Sequence, residues 1–314
     1  MPGVLLAAAL AWPASALSWS MGGHRVTGVF AARLLTEADP QAAAVVEKLM
    51  QAHPAAAALA ARLDLAGEDR AARRERLFAE MAQWPDEVRG GPFKEYHRGN
   101  WHTVDIPYVA PGHRADPPPP AAENLIWALQ ENLRIAADAS AHATDRAVAL
   151  CWIFHLVGDL HQPLHAASLY NAHFPEGDRH GTRFWVRPLA GLEPVSLHYY
   201  WDSAVIRSQR MEDAEPVAAR LAAAFPRGAF PEMRARPFRD AASTETWIRA
   251  ESHALAIATA YRDGALPGAT ERRDAQHLDE EYVAAVRATA NRRMALSAHR
   301  LAEILSRLFG ASTH

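Results

Sequence analysis

From Ala147 to Phe154 the chain is apolar at every position, and it then reads His155-Leu-Val-Gly-Asp159-Leu-His161-Gln-Pro163-Leu-His165. No other stretch restricts the fold as much. An apolar helical run belongs in a core, so the ionisable groups at its end are carried inward with it. Positions 155 and 159 are four apart, about 40° around a helix, so an imidazole and a carboxylate share one face. Pro163 then breaks the helix and re-aims His165, which would otherwise point well off that face. One helix end can thereby feed two neighbouring metal ions.

The rest of the chain supplies a helical surround. Alanine, leucine and arginine dominate and β-branched runs are scarce; 49% of the 314 residues are hydrophobic and 22% charged, an ordinary globular balance. Apolar positions recur at helical spacing over 25–35, starting just after His24, and again over 41–53 and 56–65. The charged stretch 68–81 leads into Trp84-Pro85-Asp86, where Pro85 should stop the helix. Further helices are predicted over 121–139, 144–160, 197–208, 213–225, 240–261 and 280–309. Residues 107–120 read as a proline-rich loop, 101–105 as a short extended piece, and 170–194 as irregular with one β-like run at 182–186. No repeat and no composition break separates two cores. The expectation is a mostly α, single-domain chain.

Residues 1–18 carry no charged side chain and are almost wholly apolar or small. The run from Val4 to Trp12 is too short to span a bilayer. Ala16 and Ser18 give the small residues expected ahead of a signal-peptidase cut. The reading is a signal peptide over 1–18 and a mature domain over 19–314 starting at Trp19, secreted or periplasmic. The alternative is an N-terminal helix that stays with the fold. No other segment is apolar enough to cross a membrane. Cys151 is the only cysteine, so no intrachain disulfide forms, and its thiol reads as a small core group. Net charge is −3, without the basic excess of a protein that grips duplex DNA by its phosphates. Attraction for a polyanion would have to come from bound metal.

His198 and Asp202 repeat the four-residue spacing in His-Tyr-Tyr-Trp-Asp. Neutral imidazole and carboxylate suit zinc, which takes nitrogen and oxygen ligands at about 2.0–2.2 Å. A lone pair of this kind is more commonly a surface ion pair or helix hydrogen bond. Two pairs, with a histidine after a proline break, favour metal. Three further pieces join them: Trp19-Ser-Met-Gly-Gly-His24, Trp84-Pro-Asp86-Glu-Val-Arg89, and Trp101-His102-Thr-Val-Asp105. In the last, strand alternation would put His102 and Asp105 on different faces. Trp84 and Trp101 read as core packing.

Taken in order, these five pieces closely resemble the S1/P1 family of zinc-dependent nucleases of fungi, plants and bacteria. The motifs run from Trp19 to Asp202, and the helical character continues beyond. The resemblance implies a helical bundle of the phospholipase C/nuclease type with a trinuclear zinc cleft. One zinc would take Asp86, His102, His155 and Asp159. A second, paired with it through Asp159, would take His24 with the amine and carbonyl of Trp19. A third would take His165, His198 and Asp202. The amine can ligate only after the leader is removed. Three zinc ions against three ligand carboxylates leave a local charge of about +3, which suits phosphate. In the implied mechanism a hydroxide shared by the paired zincs attacks phosphorus in line, since zinc lowers the pKa of bound water to about 7. Asp105 would orient it, Arg89 would stabilise transition-state charge, and the third zinc would face the leaving 3′-oxygen. The implied substrate is single-stranded DNA or RNA, cut to 5′-phosphorylated products, with 3′-nucleotidase activity besides. No stable protein partner is implied.

The sequence departs from the family pattern in places. Disulfides found in fungal members cannot form, Thr103 replaces a common aromatic base-stacking residue, and Gly177-Asp-Arg-His180-Gly-Thr182 lacks the usual Gly-Gly-Asn. Tyr199 and Tyr200 offer alternative stacking faces or ordinary packing. His161, His173 and His180 match no ligand position and read as supporting or solvent residues, and His253 and His299 as surface or packing residues. Two other functions compete: a zinc phospholipase C, whose last ligand is glutamate where this chain has Asp202, and a non-enzymatic zinc-binding protein, which would need neither Asp105 nor Arg89.

Overall fold

A computed structural model describes residues 19–67, 69–188, 193–234 and 238–310; the leader expected over 1–18 lies outside the described residues. Helix α1 (Met21–Ala38) begins earlier than the apolar spacing predicts. Ser20 caps it by accepting from the Gly23 N–H at 3.2 Å, so His24 is held inside the first turn. Helices α2 (Pro40–Leu49) and α3 (Ala56–Leu63) follow, and then α4 (Arg70–Glu87) packs along α1. The two approach closely at Gly28, where a Cβ would lie 2.4 Å from the Phe78 carbonyl oxygen.

Pro85 does not stop α4 as expected. In a last turn it removes a single amide, and the Val88 N–H still closes on the Trp84 carbonyl at 3.1 Å. Asp86 therefore projects from a helix. Residues 101–105 are also not wholly extended, since a 3₁₀ turn over Gly99–His102 precedes the extended part.

Helix α5 (Leu125–Ala137) lies on α6 (Ala143–Asp159), which is buried at every position from Ala149 to Asp159. Beyond the break at Pro163, β2 (Ser168–Tyr170) pairs in parallel with β1 (Pro107–Val109). Strand β3 (Trp185–Arg187) runs antiparallel to β4 (Val195–Ser196) and parallel to β5 (Gln276–His277).

Helix α7 stops at Asp202 (Leu197–Asp202) instead of reaching residue 208. The chain after it is claimed by α1: Ser20 Oγ donates to the Ile206 carbonyl at 3.0 Å and Arg25 donates to the Gln209 carbonyl. Helix α8 (Met211–Ala224) follows. The single helix expected over 240–261 is α9 (Ala241–Ile248) continued by π-helical turns at Arg249–His253 and Ala256–Ala260. Those wide turns place Ser252 inward, where its hydroxyl donates to the Leu160 carbonyl at the end of α6. The long α10 (Glu280–Phe309) closes the bundle against α1 and α6.

The fold is thus mostly α, with one large core and a smaller one around Leu164, Phe184, Trp201 and Tyr261. Trp84 is 2% exposed and belongs to the core as expected, whereas Trp101 is only partly buried, its ring packed on that of Trp152 at 4.8 Å. Among the described residues no helix is long and apolar enough to cross a membrane.

Candidate metal centre

Eight of the side chains singled out in the sequence meet at one place. His24 comes from the first turn of α1, Asp86 from the last turn of α4, and His102 from its 3₁₀ turn. His155 and Asp159 come from the end of α6, His165 from the turn at Pro163–Ala166, and His198 and Asp202 from α7. All but Asp86 are essentially sealed from solvent.

Asp159 is the hub. Its Oδ1 lies 3.3 Å from His24 Nε2 and 3.6 Å from His165 Nδ1, and its Oδ2 lies 3.1 Å from both His155 Nε2 and His102 Nδ1. His102 Nδ1 is also 4.0 Å from Asp86 Oδ1. The His24 and His155 rings stack at 3.9 Å. On the far side of Asp159, Asp202 meets His165 Nε2 at 3.6 Å and His198 Nε2 at 3.4 Å, and those two rings stack at 4.9 Å.

Backbone carbonyls fix three of the rings. His155 Nδ1 is 2.8 Å from the Ala82 carbonyl, His165 Nδ1 is 2.8 Å from the His102 carbonyl, and His198 Nδ1 is 2.7 Å from the His180 carbonyl. Each Nδ1 must donate there, which leaves Nε2 with its lone pair aimed at the carboxylates. Several buried atoms in this cluster have no hydrogen-bond partner: His24 Nε2, Asp159 Oδ1, His165 Nε2, His198 Nε2 and Asp202 Oδ2. Leaving so many polar atoms unsatisfied in a sealed interior is costly unless a cation completes them. Three groups have ligand atoms within 4.8 Å of one another: His24, Asp86 and His155; His102, His155 and Asp159, which shares His155 with the first; and, separately, His165, His198 and Asp202. The donor chemistry, neutral imidazole with carboxylate, fits zinc.

The electrostatics agree. Burial pushes the His102 imidazole down to about 4, which keeps its ring neutral. Burial also lowers His24 and His198. Burial acts to raise the Asp159 carboxyl, but His155 and His165 hold it well below the usual range. His155 and His165 are themselves raised, because Asp159 outweighs the burial that would lower them.

Arg89 lies beside the cluster, its Nη2 donating to Asp86 Oδ1 at 2.6 Å while its Nε is buried without a partner. Asp105 is half-buried, and its Oδ1 has no hydrogen-bond partner. Trp19 is fully buried, and its indole donates to the Gly158 carbonyl at 2.9 Å. A Cβ on Gly158 would come 3.0 Å from His24 Nδ1, so the small residue in α6 makes room for that ring.

Sequence reasoning missed Gln162. Its Nε2 donates to Asp202 Oδ1 at 2.8 Å and its Oε1 accepts from the Leu164 N–H at 2.6 Å, so it caps the proline turn and aims a carboxylate at once. An amide placed directly before a proline between two histidines is the signal that could have exposed it. Asp178 was also missed. It is fully buried, accepts from the Leu169 N–H at 2.9 Å, and is pushed by burial up to about 7. Next to it Arg179 and His180 have positive φ, and that bend delivers the His180 carbonyl to His198. His161 is sealed in the interior, not at the solvent, whereas His173 is exposed. His299 packs in the interior and bonds the Phe225 carbonyl, and His253 is half-buried. Tyr200 is 8% exposed with its ring stacked on Tyr282, so it offers no open stacking face.

No curated protein matches the chain. A family model described as S1/P1 nuclease matches residues 19–310. That span takes in every residue of the cluster and all of the described structure. The chain therefore belongs to the S1/P1 nuclease family, zinc-dependent hydrolases that cut the phosphodiester bonds of nucleic acid.

Proposed function

We propose that this protein is an exported endonuclease that holds three zinc ions and cuts single-stranded DNA and RNA to 5′-phosphorylated products, and that it also removes 3′-phosphates. The observation that carries the reading is the set of three histidine–aspartate groups gathered around Asp159. Asp86, His102, His155 and Asp159 would hold one zinc, His24 and the freed amine and carbonyl of Trp19 a second that shares Asp159, and His165, His198 and Asp202 the third. Zinc held by these residues would neutralise phosphate charge and make water acidic enough to ionise near neutral pH.

The chain's own residues supply the rest. Asp105, with one oxygen unpartnered, accepts a proton from the attacking water and orients it. Arg89 keeps Asp86 in place through one nitrogen and has its Nε left to donate to a phosphate oxygen as charge builds. Residues 1–18 are removed on export to the periplasm or the medium, and the new amine at Trp19 completes the site. The buried indole of Trp19, anchored to Gly158 beside His24, supports that role.

The test pairs activity with the state of the N-terminus. Single-stranded DNA, a 3′-mononucleotide and phosphatidylcholine are assayed with the wild type and with Arg89→Ala. A fall in kcat of about 10²–10³ on DNA is expected for the variant; unchanged activity would remove Arg89 from the mechanism. Cleavage of phosphatidylcholine without cleavage of DNA would overturn the nuclease reading. N-terminal sequencing and metal analysis of the exported protein should give Trp19 as the first residue and three zinc ions per chain. A different first residue would remove the amine ligand.

A further inference from the structure

Helix α7 has two working faces. His198 and Asp202 look into the metal centre, while Tyr200, with Ser203 just past the helix end, lines a separate cavity of about 680 Å³ bordered on the other side by α8 and α10. The volume lies within the range of small-molecule sites. Its wall is apolar at Ile206, Val283 and Val286, and three arginines, Arg207, Arg220 and Arg287, stand around it. Among the described residues no acidic one lines it.

The arginines around this cavity differ from those around a second one. A second cavity, lined by Arg70, Arg73 and Arg74, is neutralised from within: Arg70 and Arg74 pair with Glu47, and Arg73 pairs with Asp64. Around the first cavity, among the described residues, Arg207, Arg220 and Arg287 have no carboxylate partner; the side-chain bond found there is Arg220 to Asn291 at 3.2 Å. The chain as a whole is acidic, at −3, so three uncompensated cations in one hollow are not a background of basic surface. Their planar forks match phosphate oxygens, and the apolar wall suits a sugar and base.

We propose that this cavity binds a phosphate-bearing nucleotide unit of the substrate strand, away from the bond being cut. The proposal rests on the nuclease reading for the identity of the strand, but the recognition chemistry stands on the arginines alone. A strand held at two places gains affinity through its length, so the site acts on KM for long substrates and not on the chemical step.

The test uses the zinc-loaded exported protein and the double variant Arg207→Glu/Arg287→Glu, both positions being exposed. For a long oligodeoxythymidine the variant should raise KM about tenfold with kcat unchanged, and the slope of log affinity against log salt should fall by roughly 0.7 for each phosphate that is no longer neutralised. KM for a dinucleotide should not move. Arg207→Lys/Arg287→Lys, which keeps the charge, should lie between wild type and the charge reversal. In parallel, calorimetry with 5′-AMP and with adenosine separates a strand from a free nucleotide. Loss of one AMP site in the variant, with KM for the long strand unchanged, would assign the cavity to free nucleotide and overturn the strand proposal. No change in either assay would overturn it entirely. If the wild type cuts no nucleic acid, the nuclease reading fails, and the AMP titration alone decides whether the cavity recognises nucleotide phosphate.

Discussion

Beside α6 lies a second cluster of buried charge, and it is finished differently from the metal centre. Glu251 takes Arg293 Nη1 at 2.5 Å and both Nη atoms of Arg300, at 3.0 and 2.9 Å. Arg293 also donates to the His161 carbonyl and to Ser252 Oγ, and His161 uses both ring nitrogens, on the Val157 carbonyl and on Arg300. Arg300 Nε is the exception. At the metal centre the imbalance runs the other way, with lone pairs of His24, Asp159, His165, His198 and Asp202 unanswered. Both clusters carry the desolvation cost of buried charge. One offsets it through hydrogen bonds inside the chain, while the other is arranged so that only an external cation offsets it. Buried charge alone therefore does not mark a functional site; unanswered lone pairs that converge do.

The contrast is most exposed at Asp159. Asp159→Asn removes the charge shared by the groups on both sides, and hydrolysis of single-stranded DNA should fall by at least about 10³, with zinc content reduced and the helical circular dichroism retained. A variant that kept its zinc and its activity would break the comparison. Next in size, Glu251→Gln leaves two buried arginines facing each other, and denaturant unfolding should show a loss of about 3–5 kcal/mol. Zinc content should stay at the wild-type value; if zinc were lost and stability kept, the two clusters would have been assigned the wrong way round. Smaller again is Gly158→Ala, whose methyl group presses on His24. Stability should drop by about 1–3 kcal/mol, and activity should fall more than a packing loss elsewhere in α6 would cause, which Ala149→Ser measured beside it would show.

The smallest effect is on pH dependence, and it separates the clusters without mutation. Burial acts to raise the Glu251 carboxyl, but Arg300 and Arg293 hold it below 4.5. Its contribution is thus present above that value and is lost as pH falls through the lower folded one. His155 and His165, raised above 6.5 by Asp159 against the burial that would lower them, stabilise the zinc-free chain below 6.5 and cease to do so as pH rises through their folded values. Zinc needs them neutral. Apparent zinc affinity, measured by chelator competition, should therefore decline as pH falls through those raised values, above 6.5, while the Glu251 contribution persists to below 4.5. Simultaneous loss of both would mean that the clusters titrate as one.

Much of the site was legible beforehand because its signals are local. The spacing of His155 to Asp159 and of His198 to Asp202 puts each pair on one helix face, and Pro163 marks the turn that re-aims His165. Helix ends were less legible. Pro85 argued for a stop that the last turn of α4 tolerates, and the start of α1 hung on the Ser20 cap and not on apolar spacing. The end of α7 was decided by α1, which takes the Ile206 and Gln209 carbonyls from a helix that would otherwise have run on.

What the sequence determined by itself is the inventory of ligands and the helical class, since residue type and four-residue spacing are properties of a single segment. What only the tertiary structure decided is which lone pair each ligand presents and to whom. The carbonyls of Ala82, His102 and His180 set the tautomers of His155, His165 and His198, and Gln162 aims Asp202, from positions far along the chain. Those bonds depend on how α4, α6, α7 and the loops pack. A backbone carbonyl is the same group in every residue, so no residue type announces which one will be used.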